Sequence, residues 1–143
     1  MSSRNCIVVE FFCMGERTRF DPELFFAALA DKTRLRLLNL MRDGEVCVCF
    51  FAGTLATNNP KISRHLSYLK RAGLVTGRRD GKWMHYSLRR PTDEGAAAVF
   101  DATMQMLEND SEMAADRLRL IDICCAPAAP IMIAGRARAG DQK

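Results

Sequence analysis

The chain has 143 residues, of which 48% are hydrophobic and 27% charged, a composition typical of one soluble globular domain. No apolar run reaches the ~18–20 residues that a membrane span requires. The N-terminus has only Arg4 before a short apolar patch that Glu10 interrupts, so it is a poor secretory signal. We therefore expect a cytoplasmic protein with no membrane partner.

Charge is distributed unevenly along the chain. Residues 57–90 contain nine lysines or arginines and a single acid, Asp80, whereas residues 91–125 contain eight acids and two arginines. A basic block in a chain whose net charge is only +4 predicts a face that binds a polyanion, either DNA or RNA.

The cysteines are the second notable feature. Six of them lie at positions 6, 13, 47, 49, 124 and 125. In a reducing cytosol, metal binding or redox chemistry is favoured over structural disulfides. Their spacings are not those of a zinc finger, and the two histidines cannot complete a Cys/His finger.

The chain begins with an arm, residues 1–20, that has an apolar side. Asp21, Pro22 and Glu23 form a helix start, with an acidic cap and proline at the first position. Asp31 turns the chain into a second helix that we expect to end at Gly44. The inward-facing residues of this second helix are predicted to be Leu35, Leu38 and Met41.

Residues 46–56 are predicted to be an extended lead into a short third helix, and residues 58–74 a fourth helix. Asn59 is the predicted cap of the fourth helix, Pro60 its first position and Gly73 its stop. A buried stripe follows helical spacing at Ile62, Leu66 and Leu69. The two helices have helix-turn-helix spacing.

The other side of the fourth helix is basic and rich in hydrogen-bond donors. A short helix of this kind fits the DNA major groove, although an ordinary solvated amphipathic helix would show the same pattern. The candidate base or phosphate contacts on this helix are Asn59, Lys61, Ser63, Arg64, His65, Ser67, Lys70 and Arg71.

Two strand-like runs, residues 74–76 and 83–88, flank Asp80 and Gly81 and predict a β-hairpin. Its cationic residues are Arg78, Arg79 and Lys82. A basic hairpin directly after a helix-turn-helix is typical of a wing that contacts the phosphate backbone or the minor groove. The alternative is an exposed hairpin whose charges serve solubility.

Two more helices are predicted, one from Asp93 and one from about residue 112 to Ile123. Their long apolar surface has little left to pack on in one small domain, so we expect a homodimer. Residues 21–123 would form a mainly α-helical winged-helix domain for DNA binding and dimerisation. Residues 124–143 would be a cysteine-containing, disordered tail.

Residues 25–90 resemble the winged-helix metalloregulators of the ArsR/SmtB family, and most of all its arsenic-responsive members. The matching phrases are residues 28–31 (ALAD), 33–36 (TRLR), 45–49 (EVCVC), 60–66 (PKISRHL) and 72–75 (AGLV). The resemblance implies a homodimeric repressor, not an enzyme, that leaves operator DNA when a toxic metal or metalloid binds.

Cys47 and Cys49 can both bind one ion only if residues 47–49 are extended, or are pulled into that conformation, because i and i+2 then share a face. Thiolates select soft ions, among them As(III), Sb(III), Cd and Pb. The alternative is two small buried hydrophobic side chains.

The resemblance has one departure. Arsenic-responsive members that use this site have a third cysteine three residues after the second, where this chain has Ala52. We expect As(III) or Sb(III) as inducer at Cys47 and Cys49, with the pair Cys124 and Cys125 completing that site or forming its own. The second choice is Cd or Pb bound with Cys6 and Cys13, which resemble the arm cysteines of cadmium/lead-responsive relatives. The family's zinc site on the last long helix is excluded, since residues 93–123 contain no histidine.

Two other functions fit parts of the pattern. The cysteines could act as a redox or persulfide switch of DNA binding. A thiol enzyme or metal carrier without a DNA role is a third hypothesis. Both histidines, His65 and His85, lie in the predicted DNA-binding half, so no nucleophile–base pair is evident for an enzyme.

Overall fold

The computed structural model describes residues 20–124. Six helices and a small antiparallel sheet confirm the mainly α winged helix-turn-helix fold. The elements are α1 (Pro22–Leu29), α2 (Lys32–Leu40), β1 (Val46–Cys47), α3 (Val48–Leu55), α4 (Asn59–Arg71), β2 (Val75–Asp80), β3 (Trp83–Leu88), α5 (Glu94–Glu108) and α6 (Ser111–Cys124). Residues 1–19 of the predicted arm and the tail from residue 125 onward lie outside the described residues.

Helix starts follow the capping signals, with one correction. Asp21 and Asp93 cap α1 and α5 as expected, and each side chain accepts a backbone N–H three residues on. The cap of α4 is Asn58, not Asn59: its side chain accepts from the Lys61 N–H at 2.9 Å. Asn58 has extended backbone angles, whereas Asn59 is already helical, so Pro60 occupies the second helical position.

Helix α2 is shorter than predicted. It ends at Leu40 rather than Gly44, and residues 41–43 form a turn. Leu38 and Met41 are buried as expected, but Leu35 is only half-buried. The buried residues are instead concentrated in the last turn of the helix, residues 37–40. Helix α2 is in contact with four other helices, α1, α4, α5 and α6.

The predicted hairpin is present, and a third strand joins it. β2 pairs with β3 from Val75 opposite Leu88 to Asp80 opposite Trp83, and Gly81 at the turn has a φ of +65°. β1 pairs with the other edge of β3, which places Cys47 opposite His85. The strand order is therefore β1-β3-β2, with β3 in the middle.

A buried polar network fixes the last helix to α2. Asp116 is fully buried, and its oxygens accept from Arg36 Nε and Nη2 at 2.6 and 2.8 Å. Asp116 also pairs with Arg119, whose Nε donates to the Thr54 carbonyl of α3 at 3.3 Å. Helix α6 is thus held against both α2 and α3. It continues to Cys124, which is helical rather than the first residue of a tail.

Several large apolar side chains remain exposed on the helices. Leu118 of α6 is 65% exposed, Met106 of α5 60% and Phe26 of α1 54%. Within residues 20–124, no helix combines the length and the apolar character that crossing a bilayer would take.

Candidate thiol site and nucleic-acid interface

Cys47 and Cys49, here called the thiol pair, lie where β1 turns into α3. Their sulfur atoms are 3.4 Å apart, and Cys49 Sγ donates to Cys47 Sγ. Without an ion, residues 47–49 are not extended throughout: Cys47 has extended backbone angles, but Cys49 is in the first turn of α3. Because Val48 starts the helix, the strand-to-helix junction itself brings the two side chains together.

The surroundings of the thiol pair are apolar. Cys47 is fully buried and Cys49 half-buried against the hydrophobic core. Burial, followed by the hydrogen bond and the charge of Cys47, raises the pKa of Cys49 to about 12, against a smaller opposing backbone effect. Cys49 is therefore a neutral thiol at physiological pH.

Of the other predicted ligands, Cys124 is the one that lies within residues 20–124. Cys124 is half-buried at the end of α6, and its Sγ lies 3.6 Å from the Ile121 carbonyl. Cys6, Cys13 and Cys125 lie outside the described residues. Within residues 20–124, no three Cys, His, Asp or Glu side chains cluster as they would around a metal ion.

Helix α4 presents the polar face that the sequence predicts. Its stripe of Ile62, Leu66 and Leu69 is fully buried. The exposed side chains on the opposite face are Asn59, Lys61, Ser63, Arg64, Ser67, Lys70 and Arg71.

His65 is the exception among the predicted contacts on α4. It is half-buried, with Nδ1 3.3 Å from Arg34 Nη1 and 3.8 Å from an Asp31 oxygen. Burial lowers the pKa of His65, and nearby cations lower it further, while Asp31 opposes them. His65 thus contacts α2 beneath the helix in addition to bordering the polar face.

The wing, β2 and β3 with their turn, carries three cations in different situations. Arg79 and Lys82 are exposed, and Lys82 Nζ lies 5.6 Å from the Trp83 ring centre. Arg78 instead donates to Glu45 through Nε at 2.9 Å and Nη2 at 2.8 Å. This pairing lowers the pKa of Glu45, so its carboxylate stays charged. It connects the wing to a residue two positions before Cys47.

Comparison with known proteins decides the family. The family described as bacterial regulatory protein, arsR family, matches residues 31–76. The arsenic resistance transcriptional regulator ArsR1 of Pseudomonas putida is 36% identical over 114 residues, which cover 79% of this chain and 88% of that protein. The chain belongs to the ArsR family.

Two further ArsR-family relatives support this assignment. The arsenical resistance operon repressor of Escherichia coli is 43% identical over 81 residues, covering 56% of this chain and 69% of that protein. A homodimeric winged helix-turn-helix DNA-binding domain from Mycobacterium bovis, a possible ArsR-family regulator, has a TM-score of 0.50 and 26% identity, covering 76% of this chain and 88% of that one. Membership places the chain among transcriptional regulators, not enzymes.

In this ArsR-family chain, Arg34 is a residue that the sequence patterns did not single out. Its Nε and Nη2 donate to the carbonyls of Ala28 and Ala27, both at 2.9 Å, and its guanidinium lies 4.2 Å from the Tyr68 ring centre. Arg34 therefore joins the end of α1 to α4. The only signal was its place in the family phrase at residues 33–36.

Proposed function

We propose that the chain is a dimeric repressor of a metalloid-resistance operon that leaves its operator when As(III) or Sb(III) binds Cys47 and Cys49. The observation that carries the proposal is the thiol pair, two sulfurs 3.4 Å apart in apolar surroundings. It stands beside a helix-turn-helix with a basic face, in a family whose relatives include regulators of arsenic resistance.

DNA binding is assigned to the basic surface, which comprises the exposed side chains of α4 and of the wing. The α4 residues, with His65 at their border, would contact bases or adjacent phosphates in the major groove. Arg78, Arg79 and Lys82 would contact phosphates, with strong salt dependence. The protein would then act inside the cell, where its operator is.

Dimerisation would cover the exposed apolar side chains of the helices, among them Met106 and Leu118. The M. bovis neighbour is homodimeric. A two-fold symmetric dimer predicts a palindromic operator with half-sites ~10 bp apart or a multiple of that.

The neutral thiol of Cys49 favours a metalloid hydroxide over a divalent cation as the inducer. When a thiol binds arsenous acid, one As–O bond is replaced by an As–S bond, and the thiol proton leaves with the hydroxide as water. No proton is released and no oxidation state changes. Cd²⁺ or Pb²⁺ would require a free thiolate, which burial of Cys49 opposes.

The third sulfur ligand is assigned to another segment, since Ala52 stands where a third cysteine would be. Cys124 and Cys125 are the first candidates, because the end of α6 packs against α3: a Cβ on Gly53 would lie 3.5 Å from Ile123 Cδ1. Cys6 and Cys13 are the alternative, which would favour Cd or Pb as inducer.

Two physical connections would couple the thiol pair to the basic surface. Helix α3 begins at the thiol pair and contacts α4. The backbone of Cys47 pairs with β3, and Glu45 binds Arg78 of the wing. A displacement of Cys47 on ligand binding would therefore reach both α4 and the wing, and a coupling of ~1–3 kcal/mol suffices for induction.

The test is release of operator DNA, measured by fluorescence anisotropy during titration with arsenite, antimonite, cadmium, lead and zinc. We expect wild type to respond to arsenite and antimonite. Cys47→Ser/Cys49→Ser should bind DNA like wild type but no longer respond. If arsenite still releases operator DNA from this variant as it does from wild type, the proposed site is wrong.

Matched variants identify the third ligand in the same titration. Cys124→Ser/Cys125→Ser and Cys6→Ser/Cys13→Ser each remove one candidate pair and leave the thiol pair intact. The pair whose removal weakens the arsenite response contains the missing ligand.

A thiol switch is the second candidate function, because sulfurs 3.4 Å apart are near enough to react with each other. The raised pKa of Cys49 disfavours it, since the thiolate is the reactive form. Release of DNA by oxidation without metal, together with no response to arsenite, would establish this candidate instead.

A further inference from the structure

His85 is the buried polar side chain that the proposed function leaves unexplained. It lies in the middle strand β3 and is only 3% exposed. Within residues 20–124, neither of its ring nitrogens has a hydrogen-bond partner. A buried polar group without a partner is costly and usually indicates an ion, a water or a ligand-bound state in which the partner is supplied.

The register of the sheet places His85 beside the thiol pair. His85 is directly opposite Cys47 in the β1–β3 pairing. Directly opposed residues project from the same side of a sheet, with Cβ atoms about 4.5–5.5 Å apart. Cys47 is fully buried there, so its sulfur and the imidazole share a region closed to solvent.

On the β2 side, the residue opposite His85 already has its own hydrogen-bond partner. Arg78 is directly opposite His85 in the β2–β3 pairing, and both of its contacting nitrogens point to Glu45. Arg78 also has only donors to offer, whereas a cysteine sulfur can accept. The Glu45 carboxylate also interacts electrostatically with His85, but both of its oxygens already accept from Arg78. Cys47 is therefore the directly opposed neighbour whose sulfur can accept an imidazole N–H.

We propose that His85 donates a ring N–H hydrogen bond to the Cys47 sulfur when that sulfur is bonded to the inducer, and so acts as a positioning residue of the thiol site. This inference rests on the proposed function. A neutral imidazole always carries one N–H, so the hydrogen bond requires no change in protonation. Hydrogen bonds to a ligating atom hold it in place and raise its affinity.

Such a hydrogen bond accounts for an imidazole that has no partner among residues 20–124 when no inducer is bound. The Cys47 sulfur there accepts from Cys49 Sγ. Once Cys49 has exchanged its proton for a bond to the metalloid, that donor is gone. The imidazole N–H can then take its place.

The test replaces the imidazole with side chains that differ only in donor capacity. His85→Phe fills the space without a donor, while His85→Asn and His85→Gln place an amide N–H near the positions of Nδ1 and Nε2 respectively. Arsenite affinity is measured by calorimetry, and thermal unfolding and operator binding are measured without arsenite. If His85→Phe does not fold, His85→Leu serves as the donor-free variant.

We expect the donor-free variant to bind arsenite about 10–100-fold more weakly, as for other hydrogen bonds to ligating atoms. Its melting temperature and operator affinity without arsenite should not fall, because no hydrogen bond is lost. Either Asn or Gln should restore most of the arsenite affinity. A merely structural histidine would instead show lower inducer-free stability and no rescue.

Two results would overturn the inference. Unchanged arsenite affinity in the donor-free variant would show that the hydrogen bond does not form. Weak binding in all three variants would indicate that a ring nitrogen bonds to the metalloid directly. Failure of the proposed function is distinguishable, because wild type itself would then not bind arsenite.

Discussion

The basic surface and the proposed thiol site differ in how completely residues 20–124 supply them. Helix α4 has its cap, its buried stripe and its exposed cations within residues 58–71, and the wing follows at once. The thiol site has two sulfurs at a strand-to-helix junction, and residues 20–124 contain no third ligand beside them. Under the proposed function, the basic surface is preformed, whereas ligation of a metalloid by three sulfurs requires a further segment.

This difference suggests a division of roles. A preformed DNA surface gives the repressed state without any ligand. A sensor whose ligands come from separate segments changes the packing of those segments when it is completed, which a preformed site would not do.

Ala52→Cys should complete the thiol site within α3, so that a third ligand from another segment is no longer needed. Position 52 lies one turn after Cys49 on the same side of the helix. In a background of Cys124→Ser/Cys125→Ser and Cys6→Ser/Cys13→Ser, we expect Ala52→Cys to raise arsenite affinity by on the order of 100-fold. Calorimetry and DNA release measure the gain, and Ala52→Ser in the same background is the control. An equal response of the two variants would contradict our placement of the site.

The pH dependence of induction should separate metalloid from divalent inducers. From about pH 6 to about pH 8, the arsenite midpoint for DNA release should stay nearly constant, because thiol protons leave as water. Any response to Cd²⁺ should weaken as pH falls, by about tenfold per pH unit for each thiol that must ionise, since the pKa of Cys49 is about 12. An arsenite midpoint that changes as steeply as the cadmium one would contradict this chemistry.

Arg34→Ala should disturb the position of α4, and with it the basic surface, while leaving the thiol pair unchanged. It removes two hydrogen bonds to α1 carbonyls and the stacking on Tyr68. We expect a loss of about 2–3 kcal/mol in the free energy of unfolding and about tenfold weaker operator binding. Denaturant titration and anisotropy measure the two effects. Arg34→Lys is the matched control, since lysine keeps the charge but not the planar fork, and it should restore little stability.

Substitution of the two wing arginines, Arg78 and Arg79, should lower operator affinity by amounts that differ a few-fold. Arg79→Ala should lower operator affinity. It should also reduce the slope of log affinity against log salt concentration by about one, as expected when one phosphate contact is lost. Arg78→Ala should cost less, because Arg78 must first leave Glu45. Glu45→Gln should strengthen DNA binding slightly by releasing Arg78. Binding measured across a salt series tests all three, and identical effects of the two arginine variants would argue against competition by Glu45.

The local signals in the sequence were sufficient for the helices and the hairpin. Asp21, Asp93 and Gly81 each determine their own turn or cap, so the residue type predicts the structure. The cap of α4 was misplaced by one residue because Asn58 and Asn59 can both cap, and only the backbone angles distinguish them. The early end of α2 had no local marker.

Long-range contacts could not be predicted in the same way. A strand of two residues, Val46–Cys47, has no periodicity, so its pairing with β3 was not foreseen. The convergence of the thiols depends on Val48 starting a helix, and the partners of Arg34 and Asp116 lie on other elements. That His85 has no hydrogen-bond partner among the described residues also emerges only from the packing.

The shortness of β1 has a consequence for local opening. Two residue pairs hold it to β3, so few hydrogen bonds oppose its separation, whereas β2 and β3 share six pairs. We expect the backbone amides of the β1–β3 ladder to exchange with deuterium well before those of the β2–β3 ladder. The strand that carries Cys47 would then be the first part of the sheet to detach, while the wing itself remains folded.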